Sequence, residues 1–378
     1  MRIAINAQLL CFDRTFRSAG TSVFIYQLIK SLIEIDHTNQ YYIFMGRSNW
    51  KPELFALREN VKVFFSRLDM KNPYVRIFWE NVVFPFLLWL YKIDVFHSVI
   101  HSVPLVCPVK KIITIHDLSP WVTPSMHQSQ RNWYLKYFVM RSVRNANAIL
   151  TSSENTKKDV SEILKIPEER IKVVYLAANE KLRPVKNGWL TREKYHLPSI
   201  YFLQLCTLEP RKNTARVIDA FSIFSQRRRD VVLVIAGPEG WMFGDIKKKV
   251  NDLNLQGRVV FPGFINGDDL AALYSCAKLF VYPSLYEGFG IPVLEAMRCG
   301  CPVVTSNVSS LPEVAGDAAL LVDPTSVNEI AQAMESLLGD DGLRDEMIRK
   351  GFAQAEKFSW EKMARETLSV YEKVYRAE

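Results

Sequence analysis

The chain lacks any apolar run long enough to cross a bilayer. Its longest, Val82–Tyr91, is interrupted by Pro85 and falls well short of the roughly 20 residues a spanning helix needs. No secretory signal is expected at the start, because Met1–Ala7 already reads as a strand. The six cysteines are scattered, and only Cys299 and Cys301 are close. Cys-X-Cys alone is a poor metal signature, so the thiols are expected to be reduced and mostly buried, which points to the cytosol. Neither Gly-X-X-X-X-Gly-Lys-Ser/Thr nor Gly-X-Gly-X-X-Gly occurs, so nucleoside-triphosphatase and dinucleotide roles lack their phosphate loops. Zinc-finger, basic-zipper and RNP patterns are missing too, which argues against a nucleic-acid partner.

Apolar residues make up 48% of the 378 residues, charged residues 23%, and the net charge is +8. That is an ordinary globular composition with room for two cores. The surplus of positive charge fits an anionic substrate, an acidic membrane surface or nucleic acid without choosing among them. Strand-like runs (Arg2–Ala7, Tyr41–Met45, Val61–Phe65, Asp94–Ser98, Lys111–His116, Ala148–Ser152) alternate with helical patterns such as Thr21–Ile35, Gln128–Asn145 and Glu154–Leu164. The pattern stops at Leu176–Pro198 and resumes with strands at Tyr201–Leu205, Val231–Ala236, Val259–Phe261, Leu279–Tyr282, Val303–Thr305 and Ala319–Val322. Alternation of this kind predicts parallel sheets wrapped by helices. The fold class expected is therefore α/β, with two Rossmann-like doubly wound domains facing a central cleft. Residues 1–182 form the first and 199–359 the second; 183–198 is a linker, and the last helix, 360–378, packs back on the first domain.

Chemistry concentrates at residues 282–302. Glu287 and Glu295 lie eight residues apart, with Gly288, Gly290 and Pro292 between them. Glu287 is expected on a strand-to-helix loop and Glu295 a turn into the helix. The glycines allow a close backbone approach, and unpaired N–H groups at the helix start suit an anion. A second loop, Thr207–Asn213, follows the strand Tyr201–Leu205 and carries adjacent Arg211 and Lys212. A guanidinium fork beside an ammonium can neutralise a diphosphate.

Thr207–Asn213, Val259–Tyr274 and Tyr282–Pro302, in that order, resemble the retaining glycosyltransferases of family 4, which have the GT-B fold. The likeness is strongest over 200–325 and loosest before 110. It implies transfer of a hexose from a nucleotide-diphosphate donor, UDP-sugar first and GDP-sugar next, without cofactor or metal. Asp-X-Asp, the mark of the metal-dependent GT-A design, is absent. The resemblance gives Gly20 the donor phosphate, His116 the transferred sugar, and Arg211 and Lys212 the leaving diphosphate. The N–H groups of Gly290 and Ile291 join that task. Glu287 meets the sugar hydroxyls and Glu295 the ribose, with Phe264 near the base and Phe289 and Leu294 completing the donor site. Two departures stand out. Ser22 occupies the place of a second glycine, and Cys206-Thr207 stands where many members have Gly-Arg, so Arg211 supplies the guanidinium on this reading.

Arg67–Tyr91 and Arg131–Arg144 mix bases with aromatics. Lys71, Tyr74, Arg76, Phe78, Trp79, Phe84, Phe86 and Trp89 belong to the first; Trp133, Tyr134, Lys136, Tyr137, Phe138 and Arg141 belong to the second. Such segments either pack helices onto a sheet or rest on a bilayer, where a lipid-linked or free glycan acceptor would be met. The chain is expected in the cytoplasm or peripheral at the inner membrane face, as a monomer or weak homodimer. A nucleotide-sugar epimerase or a phosphorylase of the same fold is the rival enzymatic reading, and a sugar-nucleotide-binding subunit without turnover is the non-enzymatic one.

Overall fold

The structure is a computed structural model that describes residues 1–11, 20–46, 58–66, 68, 75, 78–99, 103–126, 129–240 and 243–377, with backbone only at 125 and 129–135. It divides into two compact units, Met1–Leu176 with Ser359–Glu378, and Ala177–Phe358.

The first unit is built on seven strands: β1 (Arg2–Ala7), β2 (Gln40–Gly46), β3 (Val61–Ser66), β4 (Val95–Ser98), β5 (Lys110–Ile115), β6 (Ala148–Thr151) and β7 (Ile171–Val173). They lie in the order β3-β2-β1-β4-β5-β6-β7, and every pairing is parallel. The strands are apolar on both faces, as a sheet covered on both sides requires; Ile3, Ala4, Ile5, Val95, Phe96, Ile112 and Ile113 are all fully buried. The chain returns to this unit through the helix Trp360–Arg376, whose first residue is 1% exposed. A polar anchor holds it: Tyr371 OH lies 2.6 Å from Nδ1 of His97, whose Nε2 lies 2.7 Å from Thr114 Oγ1. Burial first, then the nearby His116, pushes His97 down to about 3, so it stays neutral.

The second unit repeats the plan with six strands: β8 (Tyr201–Leu205), β9 (Val232–Ala236), β10 (Val259–Gly263), β11 (Leu279–Tyr282), β12 (Val303–Ser306) and β13 (Leu320–Val322). Their order is β10-β9-β8-β11-β12-β13, again parallel throughout. In each sheet the strand order reverses beside the first strand, between β1 and β4 and between β8 and β11. Doubly wound sheets bind their ligands at that switch point, beyond the carboxyl ends of the strands.

Residues 183–198, expected to be a linker, belong instead to the second unit. They contain the helix Trp189–Lys194, whose first N–H donates to Asn187 Oδ1 at 3.2 Å. A Cβ on Gly188 would come within 2.4 Å of Cys276 Sγ, so this Asn-Gly pair serves a close approach as well as a turn. Pro85 does not break its segment either. A π-helical turn, Trp79–Val83, runs into the α-helix Phe84–Leu90 and places the proline in the first turn, where its missing N–H does no harm.

The segment is strongly two-sided. Trp79, Phe84 and Leu88 are core, whereas Phe78, Val82, Phe86, Trp89 and Leu90 are exposed. Lys71, Tyr74 and Arg76 lie outside the described residues, as do the side chains of Arg131, Trp133 and Tyr134. Tyr137 is exposed, and Lys136 sits over the ring of Trp121. No helix among the described residues is long and apolar enough to cross a membrane.

Candidate active site

The loops after β8 and β11 flank the switch point of the second unit. The first of them closes as a 3-10 turn, Pro210–Lys212, and ends at Asn213, which is left-handed (φ 60°) and opens the helix Thr214–Ser225. Asparagine tolerates that conformation better than most side chains. Its buried amide also ties three loops together, donating to the carbonyls of Pro283 at 2.9 Å and Pro324 at 2.6 Å. The loop after β9 braces the same segment. Gly237 has φ 132°, and a Cβ there would stand 2.0 Å from the carbonyl oxygen of Cys206, so no other residue fits.

This bracing brings Arg211, Lys212 and Glu287 into one cluster. Lys212 Nζ donates to Glu287 Oε1 at 2.6 Å, and Arg211 donates to Glu287 Oε2 at 2.7 Å and to the Tyr286 carbonyl at 2.9 Å. The Tyr282 hydroxyl accepts from Lys212 at 2.8 Å and donates to Glu287 Oε1 at 2.9 Å. All three charges are largely buried, at 16%, 12% and 8% side-chain exposure. Burial works against ionisation of Glu287, but Arg211 and then Lys212 outweigh it and hold the carboxyl at about 2. Two buried cations against one carboxylate leave surplus positive charge; Glu209, 3.8 Å from Arg211, is partly exposed and offsets little of it.

The second loop is fixed by serines. Ser309 Oγ accepts the Glu287 N–H at 3.1 Å, and Ser310 Oγ lies 2.9 Å from the carbonyls of both Glu287 and Phe289. Gly290 is left-handed (φ 105°) and opens the helix Ile291–Arg298. A turn further on, Tyr274 OH donates to Glu295 Oε2 at 3.2 Å. Burial pushes Glu295 up to about 7, only partly relieved by that bond. The two glutamates therefore have opposite electrostatics: one is firmly ionised, the other sits near neutrality.

Some expected donor residues offer less than a side chain to a ligand. Phe289 is 4% exposed and packs edge-on against Phe358, and Leu294 is wholly buried. Both side chains belong to the core, and the Phe289 carbonyl lies 2.9 Å from Ser310 Oγ. Phe264, by contrast, is 39% exposed. In the first unit, Gly20 (φ 45°) precedes the helix Thr21–Ile35, and Phe24 on that helix meets the His116 ring edge-on at 4.5 Å. Ser22 is buried and staples Cys11 to the helix start: its Oγ accepts the Cys11 N–H at 2.9 Å and donates to the Cys11 carbonyl at 2.7 Å. Tyr282 and Asn213 do not stand out in the sequence as site residues. Tyr282 is the last residue of a strand at the switch point, which is the one signal that could have found it.

Two Rossmann-like units, one with a cationic cluster at its switch point, define the GT-B class of scaffold. The sequence matches the description Glycosyltransferase Family 4 over residues 18–181 and Glycosyl transferases group 1 over 190–354. It is 36% identical over 266 residues to O-antigen chain mannosyltransferase B of Escherichia coli, covering 69% of this chain and 70% of that protein. It is 35% identical to the serotype-specific mannosyltransferase WbdA of Escherichia coli over 67% of this chain, but spans only 32% of that longer protein. The sucrose-phosphate synthase from Thermosynechococcus elongatus shares the fold at a TM-score of 0.80 and 19% identity, over the whole of both chains. This chain belongs to glycosyltransferase family 4.

Proposed function

We propose that the chain transfers mannose, with retention and without a metal, from GDP-mannose to the growing end of a surface glycan such as an O-antigen. The buried Arg211–Glu287–Lys212 cluster at the β8/β11 switch point carries the reading. Mannose rests on the names of the relatives, which move the preferred donor from the UDP-sugar expected of the sequence to the GDP-sugar.

Cleavage of the bond between the anomeric carbon and the phosphate leaves negative charge on the departing diphosphate. Fixed positive charge in a water-poor site lowers that barrier most. Glu287 holds Arg211 and Lys212 in place before the donor arrives, so little reorganisation is needed when the charge develops. The N–H groups of Gly290 and Ile291 add dipoles of the same sign. The acceptor oxygen bonds to the anomeric carbon on the face the phosphate leaves, and its proton passes to that phosphate. No protein nucleophile is needed. Glu295 takes the ribose hydroxyls, and His116 attends the transferred sugar.

A second observation concerns the acceptor. The exposed face Phe78–Leu90 carries no charged side chain, since the segment's one acid, Glu80, is buried, and exposed Lys92 follows directly. Aromatics flanked by a base suit an anionic bilayer, where a lipid-linked acceptor is reached. Sedimentation with anionic vesicles, reversed by salt, is expected; no binding at low salt removes this part.

The main test is turnover of GDP-mannose, UDP-glucose and ADP-glucose with a mannose-terminated oligosaccharide, in the presence of EDTA, with product linkage read by NMR. GDP-mannose should be consumed and an α-mannoside formed. Transfer from a UDP-hexose alone overturns the donor, an inverted product overturns retention, and loss of turnover with EDTA overturns metal independence.

A further inference from the structure

The side chain of Gln8 is 6% exposed, and neither its Oε1 nor its Nε2 has a hydrogen-bond partner. Among the described residues no other side chain leaves two buried polar atoms in that state. Buried amides are nearly always bonded, and an orphan calls for a cause. Leaving one unpaired is destabilising, so an apolar residue of the same size would suit the bare protein better.

The position supplies the cause. Gln8 follows the last residue of β1, the strand flanked by β2 on one side and β4 on the other, so it sits at the switch point of the first sheet. Its surroundings are already shaped. Its own N–H donates to Asn6 Oδ1 at 3.3 Å, and Cys11, three residues on, is stapled to Ser22 in the first turn of the helix that follows Gly20. The unpaired carboxamide is thus held by a fixed backbone at the end of the sheet where ligands bind.

The chemistry narrows the ligand. A carboxamide has one accepting and one donating end. A phosphate could satisfy Nε2 but, having no proton to give, would leave Oε1 unpaired. Sugar hydroxyls both donate and accept, so a vicinal pair satisfies both ends at once. We propose that Gln8 binds a sugar hydroxyl pair, of the acceptor glycan or of the transferred hexose, and selects the sugar by it. This rests on the reading of the chain as a mannosyl transferase.

Gln8→Leu and Gln8→Met separate this role from a structural one, because stability and activity should move in opposite directions. Removing an unpaired buried amide should raise Tm, by about 2 °C or more, while KM for one sugar substrate rises about tenfold. Affinity for GDP alone should not change. Raised acceptor KM assigns the contact to the glycan; raised donor KM with unchanged GDP binding assigns it to the hexose. Unchanged KM for both, with either variant folded, overturns the contact and leaves an ordered water as the partner. A fall in Tm of both variants with kcat and KM intact overturns it too. Wild-type protein that neither turns over nor is thermally stabilised by any sugar or nucleotide sugar overturns the function and the contact together. Equal response of wild type and variants overturns the contact alone.

Discussion

The two units share one topology, yet they treat their switch points differently. After β8 the chain lays down a closed ionic cluster, with Glu287 gripped by Arg211, Lys212 and Tyr282. Among the described residues after β1, the groups that stand at the matching place are uncharged: the Ser22 staple, left-handed Gly20 and the unpaired Gln8. The topology sets where a ligand goes, and the loops set what it is. A loop of fixed charge suits a leaving group whose charge grows during reaction. Uncharged donors and acceptors such as the Gln8 carboxamide suit hydroxyls, whose charge does not.

The sharpest way to break the contrast is to remove a cation. Lys212→Ala should lower kcat/KM about a thousandfold and cost about 2 kcal/mol of stability, since Glu287 and Tyr282 lose a charged partner. Steady-state kinetics and denaturant unfolding read both. Wild-type rates would remove the leaving-group role. Glu287→Ala should follow, lowering kcat about a hundredfold while the affinity for GDP moves less than about threefold. Here the two cations stay but lose the group that aims them. Equal losses in kcat and affinity would mean that Glu287 acts only through nucleotide binding.

Protonation sharpens the comparison inside the second unit. Glu287 has a folded pKa of about 2, below the usual 4.5. Its contribution to stability is full above the unfolded value and is lost as pH falls from about 4.5 towards 2. Glu295 has a folded value of about 7, so stability declines as pH rises from about 4.5 to 7, where the unfolded chain is ionised and the folded one is not. Ribose hydroxyls donate best to the ionised form, so GDP affinity should climb with pH through about 7, by up to about tenfold. Calorimetry on Glu295→Gln should find that slope gone; a slope that persists moves it to another group.

Much of this was legible in the sequence, for definable reasons. Tyr201–Leu205 and Leu279–Tyr282 agree to the residue because each is a short apolar run rich in aromatics, bounded by Pro198-Ser199 before the first and by Pro283-Ser284 after the second. The pairing of Arg211 and Lys212 with Glu287 was half visible. Both loops stand out, but a sequence does not tell that a carboxylate lies between two cations rather than beside them. Asn213 reaches the carbonyls of Pro283 and Pro324, 70 and 111 residues on, and Tyr282 meets Lys212 from 70 residues away, beyond any local pattern. The helix Trp189–Lys194 escapes sequence reading because Asn187-Gly188 reads as a turn and six residues are too few to show a helical period. β7 has three residues, too few for a periodicity.

The smallest effect belongs to the first unit. The Ser22 hydroxyl makes two bonds to the Cys11 backbone that neither alanine nor glycine could make. If the staple only ties Cys11 to the helix start, Ser22→Ala should cost about 1 kcal/mol and lower Tm by about 2–4 °C. Turnover should stay within about twofold, because both Ser22 bonds go to the Cys11 backbone and a single neutral hydrogen bond contributes only about 1 kcal/mol. Salt should leave the stability difference unchanged, since no charge is screened. The same salt series on Lys212→Ala is the control: its cluster is ionic but buried, so its difference should move only slightly, and only in that variant. A tenfold loss of kcat/KM in Ser22→Ala with Tm intact would make the hydroxyl a ligand contact, and the uncharged groups beside β1 would then take part in binding no less directly than the ionic cluster of the second unit.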